Sequence, residues 1–263
     1  MRAQAIVGVA ADQGRSRFVQ LRSQPPLTLR PTGSGCLHLV ASAAGPLGGD
    51  ELRLTVHVGP RADLELRGLG ALLALPGGVA RPATMLTELR VADGAWLDAR
   101  FPPTILGRGC LLHSRLSVEL AQHAGLLWSE VTVLGRHAEP SGRAVQTLSV
   151  TRGGRPLLRA TTDLSDPALY RSPAVLGVAR AVGHALVVPP QDPRDEAATH
   201  APTPDTHAMR DGCYGAVHKL AAGHLVCVVG SDARLVTRHL EALVTPLLEQ
   251  AGGASGGHRR PRA

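Results

Sequence analysis

Hydrophobic and polar positions alternate with a period of two through most of the first 165 residues. From Glu51 to Val58, Leu52, Leu54, Val56 and Val58 share one face, and Glu51, Arg53, Thr55 and His57 the other. That is the pattern of a strand with one buried side. The same alternation predicts strands over Leu37–Ser42, Ala62–Arg67, Met85–Val91, Trp96–Phe101, Leu112–Leu120, Leu126–Leu134 and Val145–Thr151. Two more, Tyr214–Leu220 and His224–Val229, follow toward the C-terminus. A helical period dominates once, in "SDARLVTRHLEALVTPLLEQ". There Leu235, Val236, Leu240, Leu243, Val244, Leu247 and Leu248 form one stripe behind a cap at Ser231 or Asp232. Pro246 is expected to kink or end that helix, because it cannot donate the backbone hydrogen bond.

The strand pattern repeats. "LRLTVHVGPRADLELR", "LTELRVADGAWLDAR" and "SRLSVELAQHAGLLWSE" each hold a strand, a short turn and a second strand. Aligned, Val58 corresponds to Val91 and Leu120, and Leu64 to Leu97 and Leu127. A spacing of roughly 30 residues lies in the range of stacked repeats. The expected fold is mainly β: layered, solenoid-like stacked β-sheets with a C-terminal α-helix. Residues 1–190 are expected to form the layered body and 191–210 a Pro/His-rich loop. Residues 211–250 are read as terminal strands and a helix packed on the same domain, and 251–263 as a flexible tail.

Composition narrows the picture. Of 263 residues, 44% are hydrophobic but only 2% aromatic, so the core is built from Leu, Val and Ala. Thirty glycines and twenty prolines imply many turns. The net charge of +7 comes mainly from arginines spread along the chain. With almost no aromatics to stack bases, this argues against nucleic acid and fits an acidic protein partner. No stretch is long and apolar enough to span a membrane, and the N-terminal apolar run is short for a signal peptide. Four cysteines without a CxxC pair point to a cytoplasmic protein with reduced thiols.

Candidate chemistry is sparse. "GPLGGDELRLTVHV" (Gly45–Val58) has a glycine cluster, but it opens a strand, whereas a phosphate-binding loop opens a helix. Gly48 and Gly49 are therefore read as a turn, with Asp50 placed to hydrogen-bond its backbone. There is no G-x-S-x-G elbow and no H-E-x-x-H. Asp98 and Glu130 lie close to Trp96 and Trp128 on strands taken as equivalent, a placement that suits carboxylates lining an internal channel. His184, His200, His207, His218, His224 and His239 crowd the C-terminal third beside Cys213 and Cys227. Imidazole and thiolate suit nickel, copper or zinc, but the spacing matches no compact site. Cys36 and Cys110 read as small buried apolar residues.

Several segments resemble the urease accessory protein UreD (UreH) family. They are the Gly-Gly-Asp leading into a long strand, "VADGAWLDA" (Val91–Ala99), "FPPTIL" (Phe101–Leu106), "LLWSEVTVLGRHAEPSG" (Leu126–Gly142), "GRPLLRATTDL" and the terminal helix. They occur in the family's order over roughly residues 15–250. This chain departs in having Leu97-Asp98-Ala99 where many members have Leu-Glu-Trp, and Ser129 between Trp128 and its acid. The resemblance implies a non-catalytic scaffold for urease maturation. It would bind the urease apoprotein subunits and UreF, reach the GTPase UreG through UreF, hold no cofactor tightly, and pass nickel in transit through an internal tunnel. Candidate tunnel residues are Asp50, Asp98, His113 and Glu130. On the residues alone, a histidine-rich metal-binding protein and a β-solenoid binding protein unrelated to urease stay open.

Overall fold

A computed structural model describes residues 1–191 and 206–254. In chain order the strands are β1 (Arg2–Asp12), β2 (Arg15–Arg22), β3 (Leu27–Gly33), β4 (Cys36–Ala41), β5 (Glu51–Val58), β6 (Asp63–Leu69), β7 (Leu72–Ala74), β8 (Ala83–Val91), β9 (Trp96–Arg100), β10 (Thr104–Leu106), β11 (Leu111–Leu120), β12 (Gly125–Val133), β13 (Arg143–Arg152) and β14 (Arg155–Leu164). A short helix α1 (Pro167–Tyr170) precedes β15 (Ala181–Val188), β16 (Thr206–Arg210), β17 (Cys213–Leu220), β18 (Gly223–Gly230) and the long helix α2 (Ala233–Ala254).

The strands build two facing sheets. Sheet A runs β14-β13-β11-β8-β5-β1-β2, and sheet B runs β16-β17-β18-β15-β12-β9-β6-β4-β3 with β7 and β10 attached beside β12. Their centres are parallel: β1, β5, β8, β11 and β13 stack in sheet A, and β4, β6, β9 and β12 in sheet B. This is a β-solenoid of about four turns, as the repeat predicts.

The repeat has a physical basis at the corner joining the sheets. Ala62, Ala95 and Ala124 each donate to the carbonyl three residues back, on Gly59, Ala92 and Ala121. Each turn also hangs from the previous one, Ala92 N–H to Val58 O at 2.9 Å and Ala121 N–H to Val91 O at 2.9 Å. The three alanines are almost fully buried, so a larger side chain has no room at the corner. Val58, Val91 and Leu120 stack as aligned from sequence. Leu97, however, pairs with Leu126 and not with the expected Leu127. The identical corners place the first inward residue six positions after the last, and from Leu120 that residue is Leu126. Leu127 points to the opposite face, since a one-residue slip exchanges faces.

Three apolar clusters result, the smallest gathering Leu106, Cys110, Leu112, Leu164 and Tyr170 near α1. Leu54, Val56, Leu64, Leu66, Leu89, Leu97, Val118 and Leu126 fill the space between the sheets. On the far side of sheet B, Val236, Leu240 and Val244 of α2 pack on Leu127, Ala185, Val226 and Val228. Gly183 permits that approach, because a Cβ there would lie 2.8 Å from Val236 Cγ1. Asp232 caps the helix by accepting from the N–H groups of Arg234 and Leu235. Pro246 lies inside α2, which continues to Ala254 and is not ended there. Leu243 on one side of the proline and Leu247 on the other pack against the sheet-B core, and this holds the helix across the missing hydrogen bond.

Of the expected 191–210 loop, Gln191 and Thr206–Arg210 are described, and Thr206–Arg210 is strand β16, paired antiparallel with β17. Residues 192–205, including His200, and 255–263 lie outside the described residues. Cys110 is buried as expected, whereas Cys36 is only half-buried, 3.3 Å from the Thr32 hydroxyl.

Candidate functional site

The two sheets do not fill the interior evenly. Toward the end formed by β13 and β14 on one side and β12, β15 and β18 on the other, they enclose a cavity of about 170 Å³. Its wall carries Glu130, His184, Gln146, Thr87, Trp128 and Cys227. Glu130 reaches it because β12 alternates and Trp128, two residues earlier, faces the inter-sheet core. Across the sheet Glu130 stands directly opposite His184 of β15, and His184 opposite Cys227 of β18. The same cross-strand row continues through Ala216 to His207 on the edge strand, where His207 Nδ1 lies 2.7 Å from the Tyr214 hydroxyl.

The electrostatics are those of groups taken from water without compensation. Burial alone pushes the Glu130 carboxyl up to about 7 and the His184 imidazole down to about 4. The Cys227 thiol is raised by the same cause. Nearby, Thr132 Oγ1 donates to Gln146 Oε1 at 3.1 Å, a buried hydrogen bond joining the two sheets. Among the described residues no three His, Cys, Asp or Glu side chains are gathered to hold a metal ion.

The other candidates stand elsewhere. Asp98 lies on the opposite face of sheet B, beneath α2. Its Oδ2 accepts from Arg67 Nη2 at 2.8 Å and its Oδ1 from Arg100 Nε at 3.1 Å. Arg100 also lies 3.8 Å from Glu241 of α2. Trp96 and Trp128 are therefore not equivalent: Trp96 pairs with Gly125, and Trp128 with Ala99. Asp50 is buried in the turn before β5. Its Oδ2 accepts from Leu47 N–H at 2.9 Å and its Oδ1 lies 2.6 Å from the Met1 amino nitrogen. The glycine cluster works by close approach, because a Cβ on Gly48 would lie 2.7 Å from Gly77 N. The partner glycine sits in "LPGGV", a second glycine pair that a search for phosphate loops passes over. His113 is exposed on the outer face of sheet A. Glu130 alone of the four lies on the cavity wall. Sequence reading noted His184 and Cys227 in a crowd of histidines, but their alignment with Glu130 is set by strand register, which composition does not carry.

The model of the UreD urease accessory protein family matches residues 1–262. The chain belongs to the UreD urease accessory protein family. It is 35% identical to "Urease accessory protein UreD" of Frankia alni, over 94% of this chain and 93% of that protein. It is 38% identical to "Urease accessory protein UreD 1" of Saccharopolyspora erythraea, over 73% of this chain and 79% of that one. With "Urease accessory protein UreD" of Streptomyces avermitilis the identity is 32%, over 94% of this chain and 98% of the relative. Membership makes this chain an accessory factor in urease maturation and not a catalyst. No helix among the described residues is long and apolar enough to cross a membrane.

Proposed function

We propose that this protein is a scaffold of the urease maturation complex. It binds the urease apoprotein subunits and UreF, engages UreG through UreF in the cytoplasm, and lends its interior to nickel on the way to the urease active site. The observation that carries the reading is the half-buried Glu130 on the wall of a cavity, in a chain of this family. Nickel in transit needs donors that exchange, and a carboxylate, an imidazole and a thiol presented singly along a strand row supply that without a closed cage. Glu130, His184 and Cys227 give the direction of the route, from the inter-sheet cavity toward β16. Of the four residues proposed from sequence, Glu130 is the one we retain in the route. Asp98 and Asp50 are engaged in fixed hydrogen bonds, and His113 faces outward.

The test is reconstitution of urease from apoprotein, UreF, UreG, GTP and nickel. Activation is expected to require this chain. Glu130→Ala, folded and still co-purifying with its partners, is expected to lower activation by at least about tenfold. Full activation by that variant removes the route, and full activation without the chain removes the scaffold reading.

A further inference from the structure

The outer face of sheet A is arranged as a docking surface. Helix α2 lies on sheet B, so among the described residues no helical layer covers sheet A. Strand parity and register place nine arginines on this face: Arg2, Arg53, Arg90, Arg115 and Arg143 on the parallel strands, and Arg15, Arg17, Arg22 and Arg159 on the flanking ones. The same face holds five acids, Asp12, Glu51, Glu88, Glu119 and Asp163. Nine against five leaves a surplus of four positive charges, more than half of the chain's formal +7.

The acids are already engaged. Four form ion pairs on the face: Arg2–Glu51, Arg17–Asp12, Arg53–Glu88 and Arg90–Glu119. Asp163 accepts from Ser165 N–H. Arg15, Arg22, Arg115, Arg143 and Arg159 are exposed and have no ion-pair partner among the described residues. Three of them lie on the adjacent strands β11, β13 and β14. The register sets Arg115 beside Thr147, Arg159 beside Ser149 and Arg143 beside Leu111, so these arginines spread across the face among the hydroxyls of Ser117, Thr147, Ser149 and Thr161.

We infer that this face seats the acidic surface of a folded protein of the maturation complex, an inference that rests on the scaffold reading above. Unmatched arginines beside matched ion pairs and hydroxyls suit carboxylates at fixed positions. A nucleic acid fits less well, because the acids would repel its backbone and the face presents no aromatic side chain for bases.

The experiment measures binding of the full chain to purified urease apoprotein and, separately, to UreF, across a salt series. The triple variant Arg115→Glu/Arg143→Glu/Arg159→Glu is expected to weaken one of these associations by at least about tenfold and to flatten its salt dependence. The milder Arg→Gln triple guards against a folding defect and is expected to give a smaller loss of the same sign. A control carrying the same charge change on the other side, Arg30→Glu/Arg234→Glu/Arg238→Glu, is expected to bind like wild type. Wild-type-like binding of both partners by the sheet-A variants overturns this inference and leaves the scaffold reading standing. Failure of the wild-type chain to bind either partner overturns both. Arginine-dependent binding of a duplex oligonucleotide, with protein binding unchanged, overturns it in favour of a nucleic acid.

Discussion

Asp98 and Glu130 are acids withdrawn from bulk solvent in neighbouring strands of one sheet, and they have opposite environments. Asp98 faces α2 and is gripped by Arg67 and Arg100 through bonds of 2.8 and 3.1 Å. Glu130 faces the cavity between the sheets, and burial alone sets its carboxyl near 7. The first is tied into fixed ion pairs by its neighbours. The second has no ion-pair partner among the described residues, and it keeps its proton to a higher pH than a free carboxyl. Fixed pairing belongs to structure, whereas an uncompensated carboxyl beside a cavity is free to exchange partners, and it marks the inner region as the one with chemistry to offer.

The comparison breaks most visibly by deleting each acid in turn. Asp98→Ala leaves two partly buried guanidinium groups facing one another, which costs far more than the lost bonds. With Arg67 and Arg100 side chains 21% and 32% exposed, water recovers part of that, and a loss of about 3 kcal/mol is expected in urea unfolding at pH 7. Glu130→Gln at the same pH is expected to cost nothing and to gain stability instead, because Gln brings no charge to desolvate. A similar loss from both variants would mean that Glu130 is held by its surroundings as tightly as Asp98.

The sequence carried the solenoid more plainly than the site. Alternation in "ELRLTVHV" and the 30-residue recurrence of Val58, Val91 and Leu120 are local signals, and the stacking follows them. Strand β15, "AVGHALVV", is packed on both faces, so apart from His184 it reads as an apolar run with no alternation to detect. The site failed at one residue. Matching Leu97 with Leu127 put Asp98 and Glu130 on one face, and the true partner, Leu126, separates them. Equal corner lengths were present in the sequence and give the correct register. The meeting of Glu130 with His184, 54 positions later, depends on an antiparallel strand pairing that no local pattern encodes.

The second way to sharpen the comparison is pH. Glu130 titrates near 7 in the folded chain against 4.5 when free, so the folded state binds the extra proton and stability falls as pH rises from 4.5 to 7. His184 titrates near 4 against 6.5, so the unfolded state binds the extra proton and stability rises from 4 to 6.5. In the wild-type chain the two slopes oppose each other. Relative to wild type, Glu130→Gln is expected to gain stability with rising pH, reaching about 3 kcal/mol by pH 7.5, and His184→Gln to lose it between pH 4 and 6.5. Parallel stability curves for the two variants and wild type would show that neither group is buried as the fold places it.

The smallest effect expected lies inside the cavity region itself. Thr132 and Gln146 face the same interior as Glu130 and are more deeply buried, but they satisfy each other at 3.1 Å across the two sheets. Thr132→Val keeps the shape and removes the donor, leaving the Gln146 amide oxygen buried without a partner. The expected loss is about 1 kcal/mol, independent of pH between 4 and 8, because neither side chain titrates there. Thr132→Val/Gln146→Leu is expected to recover part of that loss, since an apolar pair leaves nothing unsatisfied. If the single variant is neutral, water in the cavity already serves Gln146. The cavity would then be wetter than its apolar rim suggests, and the low dielectric that shifts Glu130 and His184 would have to come from the strands around them rather than from a dry interior.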